Sequence, residues 1–455
     1  MGGRPLVGAV RRGDADSVLA LLESGADPDT VTDNGLPVLC LAVVTYDTDV
    51  AKALVEGGAD PDRRLPDGTT PLRRAVDGGS PAMVEAVLGR EPRLRLPEAE
   101  RADLLTLARH WYERGAENEL RRRTSGFGPA YRAWVRDDEY ARASQVTLDG
   151  LTVRDGHGAI LTALEWAFRV LTPVDELVAR ALARGDRQHV DRSAALWVLN
   201  ERRSKQTWSA LTAHRHSPEP ERRRFVLDVL HGHLLSPTSG RNSHEKETAE
   251  LLVAWAMEGE ADPRVLTDVL RVLSETEHRE SPSVGLRYAG HPAPRVRAQV
   301  PDLLLGLGDG TPLPPLGAAA RAALLVLAGD KDRTVRAGAA RALVVAHDVG
   351  PGLTDAVVGL LGDPEAEVRA CTAEALAHST NRDTAVADAL AALLDEEDFT
   401  MRLHAAYGLL RRDDPRTGEA IERLGPLSRP GFEHDPHLSA LWRWKWNREQ
   451  RPAGG

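Results

Sequence analysis

The sequence predicts an all-α protein made of two tandem arrays of helical repeats, a two-part α-solenoid with one short β-hairpin at the junction. Three observations carry this. Residues 21–29 read LLESGADPD and residues 54–62 read LVEGGADPD, an offset of 33. Arg336, Arg369 and Arg402 recur at the same offset within similar strings near the other end. Between the two, VTLDGLTV at 146–153 alternates around Asp149-Gly150, the strongest short signal for a tight hairpin. A fixed period of this length marks architectures in which each unit buries its apolar face against the next.

Composition agrees with repeats. At 455 residues the chain is too long for one compact core, and aromatics make up only 4% of a 42% hydrophobic total. Alanine, leucine and valine must therefore form the interior, which suits close helix packing. The net charge of −10 argues against broad contact with nucleic acid, which needs basic surface to displace counterions. The two cysteines, Cys40 and Cys371, fall in different regions and support neither a disulfide framework nor a cysteine zinc site. The opening MGGRPLVGAVRRGD contains no long apolar run, so no secretory leader is expected, and no segment is apolar enough to span a bilayer. The expected location is cytoplasmic. With 53 arginines against 5 lysines, and abundant Ala, Gly and Pro, the composition fits a GC-rich bacterial genome.

The first array is read over residues 1–123. The 33-residue offset aligns Leu6, Leu39, Leu72 and Leu105, and likewise Ala9, Ala42, Ala75 and Ala108. Val18, Leu21 and Leu22 form one helical stripe, repeated as Ala51, Leu54 and Val55, then as Val84, Val87 and Leu88. Pro71 stands where a helix starts and its missing N–H costs nothing, while Gly25 and Gly58 stand where helices end. The period and the strings GADPD and DGTTPL resemble the ankyrin repeat. Gly68, Thr70, Pro71 and Leu72 match that family's opening; Arg73 replaces the usual His, and the second unit departs further at Pro37–Cys40. The fourth unit, about 98–123, lacks the glycines and carries Trp111 and Tyr112, so it is expected to cap the array.

Residues 124–156 are read as a linker. The stretch RRRTSGFGPAYRAWVR at 121–136 interleaves arginines with Phe127, Tyr131 and Trp134. Such a pattern holds single strands or phosphopeptides in some proteins; here, arginines paired to Asp137, Asp138 and Glu139, with aromatics docking the arrays, is the preferred reading. The hairpin is expected to close the linker rather than to form a sheet. Asp155 is expected to cap a helix running from about 157 to 171.

From residue 157 onward a second array is expected. DPEAEVRACTAEAL at 363–376, DKDRTVRAGAARAL at 330–343, DEEDFTMRLHAAYGL at 395–409 and HPAPRVRAQVPDLL at 291–304 share one pattern. Arg297 precedes Arg336 by 39, and TPLPP at 311–315 is expected to hold the excess as loop. SPTSGRNSHEKE at 236–247 reads as another loop. The pattern resembles HEAT repeats, especially the short bacterial type of phycobilisome-lyase-like proteins. That resemblance implies helix pairs joined by an Asp-bearing turn, with Val335, Val368 and Met401 inward. The periodic arginines are expected to bridge such acids as structural ladders.

No motif for chemistry emerges: there is no serine elbow, phosphate-binding loop, metalloprotease helix or dinucleotide fingerprint, so no enzyme and no cofactor are expected. The His-x-His pairs His214/His216 and His231/His233 lack completing ligands, and i,i+2 positions do not share a helix face, so no metal site is assigned. In LSALWRWKWNREQR, Leu438, Trp442 and Trp446 lie on one stripe, and the two tryptophans are expected to cap the last unit.

The reading is an interaction scaffold whose partner is a protein. Positions matching the ankyrin family's usual contact sites are Asp33, Asn34, Leu36, Val44, Thr45, Pro66, Asp67, Thr69 and Asp77; the junction adds Arg122, Arg123, Tyr131 and Trp134. Several are acidic, which favours a partly basic partner. The rival is a HEAT-fold DNA glycosylase with Trp166, Trp197, Trp208, Asp186 and Arg192 in a basic cleft. A lyase for a small-molecule adduct is a third possibility, and the oligomeric state is left open.

Overall fold

Each second helix of the first three repeats begins on a side chain that takes up a free backbone N–H. Asp14 accepts from Ser17, Asp47 from Val50 and Ser80 from Met83. These caps lie 33 residues apart, so the capping rule recurs with the apolar one. The computed structural model describes residues 3–235, 244–276, 278–306, 316–349, 353–379 and 381–450. The expected loops at 311–315 and over most of 236–247 fall outside the described residues. The chain divides into two compact units, residues 1–229 and 230–455. Ankyrin-like repeats precede further helix pairs, with one small sheet between in sequence.

In the first unit the helix pairs are Gly3–Arg12 with Ala15–Glu23, Val38–Thr45 with Thr48–Glu56, and Pro71–Gly78 with Pro81–Leu88. Leu6, Leu39, Leu72, Ala9, Ala42, Ala75 and Ala108 are buried as the offset requires. Gly25 and Gly58 take positive φ of 90° and 100°. The fourth unit, Glu98–Arg114 with Ala116–Thr124, slips by one residue: Leu104 is buried and Leu105 only partly so. Its Trp111 leaves the ankyrin core and joins Leu120, Val146, Leu148 and Val153 under the sheet.

The hairpin expected at Asp149-Gly150 is present, with φ of 48° and 79° at the turn. It does form a sheet. Strand β1 (Tyr131–Arg136) adds to β2 (Arg142–Leu148) and β3 (Leu151–Arg154), antiparallel in the order β1-β2-β3. The basic-aromatic stretch supplies the third strand, and packing of Val146 and Leu148 on Trp111 stabilises what a lone hairpin lacks. The third repeat grips this sheet at Gly79. Its carbonyl accepts from Gly156 N at 3.0 Å, its φ is 77°, and a Cβ there would lie 1.9 Å from the Arg154 carbonyl oxygen.

Asp155 does not cap the next helix, His157–Ala167, which ends well before 171 and starts on Gly156 without a side-chain cap. Its carboxylate instead accepts from Ser144 N at 2.8 Å and lies 3.1 Å from His189 Nε2. Ile160, Leu161, Leu164 and Phe168 continue the ankyrin core. The boundary expected at 156/157 thus falls inside a continuous core, and the first unit runs on through helices Val174–Leu182, Val190–Glu201 and Lys205–Ala213. Buried Glu165 meets buried Arg180 at 2.7 Å and Arg109 of helix Glu98–Arg114 at 2.9 Å.

The second unit stacks helix pairs, among them Ala318–Ala328 with Arg333–Val349, Thr354–Leu361 with Ala366–His378, and Thr384–Ala392 with Phe399–Arg411. The periodic arginines do form ladders. Arg336 donates to Asp363 at 2.7 and 2.9 Å and to the Asp330 carbonyl at 2.9 Å. Arg297 does the same with Asp330 and the His291 carbonyl, and Arg369 with Glu396 and the Asp363 carbonyl. Each guanidinium closes its own turn and grips the acid of the next. Arg402 keeps the carbonyl half, donating to Glu396 and Glu397. Val335, Val368 and Met401 point inward.

The last helix, Pro436–Glu449, turns differently from expectation. Leu438 and Leu441 are buried, while Trp442 and Trp446 are half exposed and stack on each other with ring centres 5.6 Å apart. An i,i+3 leucine pair sets the inward direction, which carries Trp446 about 110° away from it.

Candidate interaction surface

The ankyrin loops hold their tips out by short internal hydrogen bonds. In the second repeat Thr32 and Leu36 exchange backbone and side-chain bonds of 2.8–3.1 Å, and the Thr32 hydroxyl also bonds Asn34. Asp33 and Asn34 are thereby exposed and Leu36 half-buried. In the third repeat Asp67 accepts from the Thr69 hydroxyl at 2.6 Å, from Thr69 N at 3.0 Å and from Arg74 at 2.8 Å. The Thr69 hydrogen bonds, with Arg74 beside them, hold the Asp67 carboxyl down at about 2, so it carries full charge at neutral pH. Pro66 and Asp67 are exposed and Thr69 half-buried. At the end of helix Val38–Thr45, Val44 is 66% exposed and Thr45 is exposed beside it.

Asp67 and Thr69 line a groove of about 430 Å³ between the third loop and helix Glu98–Arg114. Its walls carry four carboxylates, Asp62, Asp67, Glu100 and Asp103, and two arginines, Arg64 and Arg73, while Arg95 pairs with Asp62 at 2.5 Å and Arg74 with Asp67 at 2.8 Å. Arg64 is already paired with Glu100 at 2.9 Å. Sequence reading found Asp67 and Thr69 but not Glu100 and Asp103, because the fourth unit lacks the ankyrin punctuation that would have set them in register.

The junction residues divide into two groups. Asp77, Arg122 and Arg123 are occupied internally. Asp77 accepts from Trp111 Nε1 at 2.8 Å and from Arg123 at 2.6 and 2.8 Å, and Arg123 lies 4.5 Å over the Trp111 ring. Arg122 and Arg123 both donate to buried Glu119, at 2.7 and 2.9 Å. Those bonds, Arg122's foremost, hold the Glu119 carboxyl far below the usual range against the opposing effect of burial. The acids that pair with the arginine run are therefore Glu117, Glu119 and Asp77, not the anticipated Asp137, Asp138 and Glu139; Asp137 is bound by Arg154 and Ser80. Tyr131 and Trp134, in contrast, are 68% and 54% exposed, though Arg142 lies 4.7 Å over the Trp134 ring. Phe127 and Tyr140 are exposed on either side in sequence, and only their aromatic character hinted at it.

Of the residues of the rival reading, two tryptophans touch each other, while Asp186 and Arg192 are engaged by partners outside that set. Asp186 pairs with Arg142 at 2.8 Å, Arg192 with Asp228, and Trp166 meets Trp197 edge to face. His214 faces Asp175 at 2.9 Å and His231 faces Arg271. Among the described residues no three His, Cys, Asp or Glu side chains are already gathered around one cation position. No described helix is long and apolar enough to cross a membrane.

Residues 6–95 match the family model for ankyrin repeats in three copies, so the N-terminal region consists of ankyrin repeats. No curated protein matches the sequence. Among solved structures, YibA of E. coli is 17% identical, covering 55% of this chain and 91% of its own, with a TM-score of 0.40. An engineered protein is 15% identical over 91% of this chain and 99% of its own, with a TM-score of 0.38. A chain from the structure of Kap95p binding to RanGDP is 12% identical over 97% of this chain and 62% of its own, with a TM-score of 0.46.

Proposed function

We propose that this chain is a non-catalytic scaffold of the bacterial cytoplasm that binds protein partners through its repeat surfaces. Within it, the ankyrin part takes a basic segment of a partner. The observation that carries this is the groove beside the third loop, lined by Asp62, Asp67, Glu100 and Asp103, with Asp67 exposed at the loop tip and fixed in its charged form. Exposed acids such as Asp67 and Asp103 are the groups a basic segment would meet, and complementary charge steers and selects a partner. We assign the second unit to the short bacterial HEAT type on its arginine-clamped turns, and to a structural role that presents a second surface.

The test is crosslinking mass spectrometry in the native host with wild type and with Asp67→Lys/Asp103→Lys. The wild type should crosslink reproducibly to a partner through residues 60–105, at lysines of that partner. The double variant, with unchanged circular dichroism, should lose the crosslinks and about tenfold or more in affinity. Crosslinks that persist unchanged in the variant would refute the groove as the binding site.

A further inference from the structure

The small sheet ends on an open edge. Strand β1 lies outermost in the order β1-β2-β3, and among the described residues no strand or bridge pairs with its other side. The ladder fixes which backbone groups face out. Asp137 N donates to the Ala141 carbonyl at 3.0 Å, and the same register makes Tyr131, Ala133 and Val135 the residues that bond β2. The alternation holds on the other side of β2, where the Ser144 carbonyl accepts from Asp155 N at 3.0 Å. The N–H and C=O groups of Arg132, Trp134 and Arg136 therefore point away from the sheet. Their side chains share one face, and all three are exposed.

An open edge is a template for another strand, and natural sheets blunt it with proline, a bulge or brevity. Strand β1 has none of these: its 6 residues pair with β2 in unbroken register. Two arginines alone would deter indiscriminate pairing, but the exposed indole between them gives the edge an anchor. Trp134 is held in place. Arg142, paired with Asp186 at 2.8 Å, lies 4.7 Å over its ring, and His189 meets it edge-on at 6.3 Å. Charge then selects the occupant. Arg136 bonds a neutral acceptor, the Glu139 carbonyl, at 2.7 Å. Arg132 pairs with Glu117 at 2.7 Å, but Arg121 binds the same carboxylate at 2.7 Å. Of the acids in the adjoining turn, Asp137 is bound by Arg154, and Asp138 accepts from Tyr140 N and Ala141 N. A second copy of this chain fits poorly. The two-fold register that uses all three outward residues sets Arg132 directly opposite the copy's Arg136, at both ends of the pairing.

We propose that β1 is a docking edge for an extended, acidic segment of a partner protein, which adds to the sheet as a fourth strand. The segment's backbone completes the hydrogen bonds of Arg132, Trp134 and Arg136. Its carboxylates stand opposite the two arginines, and an apolar side chain between them packs on Trp134. Acid, apolar, acid at every second residue is the pattern such a segment carries. The edge shares no residue with the ankyrin groove and selects acidic rather than basic segments.

The experiment uses the full chain and a short fluorescein-labelled peptide, rich in threonine, with a central valine and a glutamate two residues to either side. Anisotropy should show saturable binding with a dissociation constant of about 100 µM or below, and the same peptide with lysines for the glutamates should bind about tenfold or more weakly. Amide exchange resolved to single residues should slow at Arg132, Trp134 and Arg136 when peptide is added, and change little at Ala133 and Val135, which already bond β2. Arg136→Glu and Trp134→Thr should each weaken binding about tenfold, and the exposed charge reversal Arg11→Glu should leave it unchanged. The Arg136 side chain is exposed, so its variant keeps the fold and carries the test alone if Trp134→Thr loosens the sheet. No saturation at about 1 mM peptide, equal binding of the lysine peptide, or slowed exchange that misses the three outward amides overturns the docking edge. A wild-type dimer in sedimentation that Trp134→Thr abolishes makes a second copy the occupant and overturns it as well.

Discussion

Replacing His157 with Phe should change how stability depends on pH, and by a calculable amount. The His157 ring is fully buried, stacks on Trp111 at 4.7 Å with an interplanar angle of 4°, and its Nε2 has no partner. Burial pushes its pKa down from 6.5 to about 4, against the pull of Asp77 and Asp155. Between those two pH values the unfolded chain binds the proton and the folded one does not, so stability is lost as pH falls from about 6.5 toward 4. At pH 5 the unfolded form gains a factor of about 30 from this group, or about 2 kcal/mol; at pH 7 it gains under about 0.2 kcal/mol. Buried Asp191 acts in the opposite sense. Burial raises its pKa from 3.8 to about 6, so the folded form holds the proton more tightly, and acidification from pH 7 to 5 adds about 1.3 kcal/mol. The two nearly cancel in the wild type. In His157→Phe only the Asp191 effect remains, and the change in stability on going from pH 7 to 5 should be about 2 kcal/mol more favourable than in the wild type. Urea unfolding of the first unit at both pH values, read by hydrogen exchange over residues 104–120 and 157–167, measures that difference. Equal pH dependence in the two proteins, within about 0.5 kcal/mol, would refute a buried neutral His157.

Two further outcomes follow from the packing. Arg336→Met leaves the buried Asp363 carboxylate without its guanidinium and should cost the second unit about 3–5 kcal/mol, most of it recovered in Arg336→Met/Asp363→Leu; a double-mutant cycle in denaturant reads the coupling. Gly79→Ala sets a Cβ against the Arg154 carbonyl and strains a positive φ, so it should destabilise the sheet by about 3 kcal/mol or more and speed exchange at Gly156, whereas Gly25→Ala, with nothing within 4 Å, should cost about 1 kcal/mol.

What could be read from the sequence was whatever depends on neighbours in the chain or on a fixed period. The alanine and leucine registers, the Asp149-Gly150 turn and the arginine ladder all belong to this kind. Strand β1 was not legible, because YRAWVR alternates imperfectly and its pairing depends on where β2 lies. Partners distant in sequence were not legible either. Arg123 finds Asp77 46 residues away, and His437 meets His378 59 residues away. The candidate site divides the same way: the loop tips around Asp33 and Asp67 follow from the repeat pattern. The acidic wall at Glu100 and Asp103 comes from a unit in which that pattern has faded.

The arginine ladder has a consequence for how such a chain is inherited. Each clamp requires only one guanidinium and the acid of the following turn, 27 residues on for Arg336 and Arg369. Between Arg297 and Asp330 the interval is 33, and the clamp still closes, at 2.7 and 2.8 Å. Six extra residues inserted into a connection leave the joint untouched. A gene encoding such an array can gain or lose whole cassettes, or lengthen a connector, without renegotiating any other joint. The number of units is then free to drift between lineages while the fit between adjacent ones stays constant.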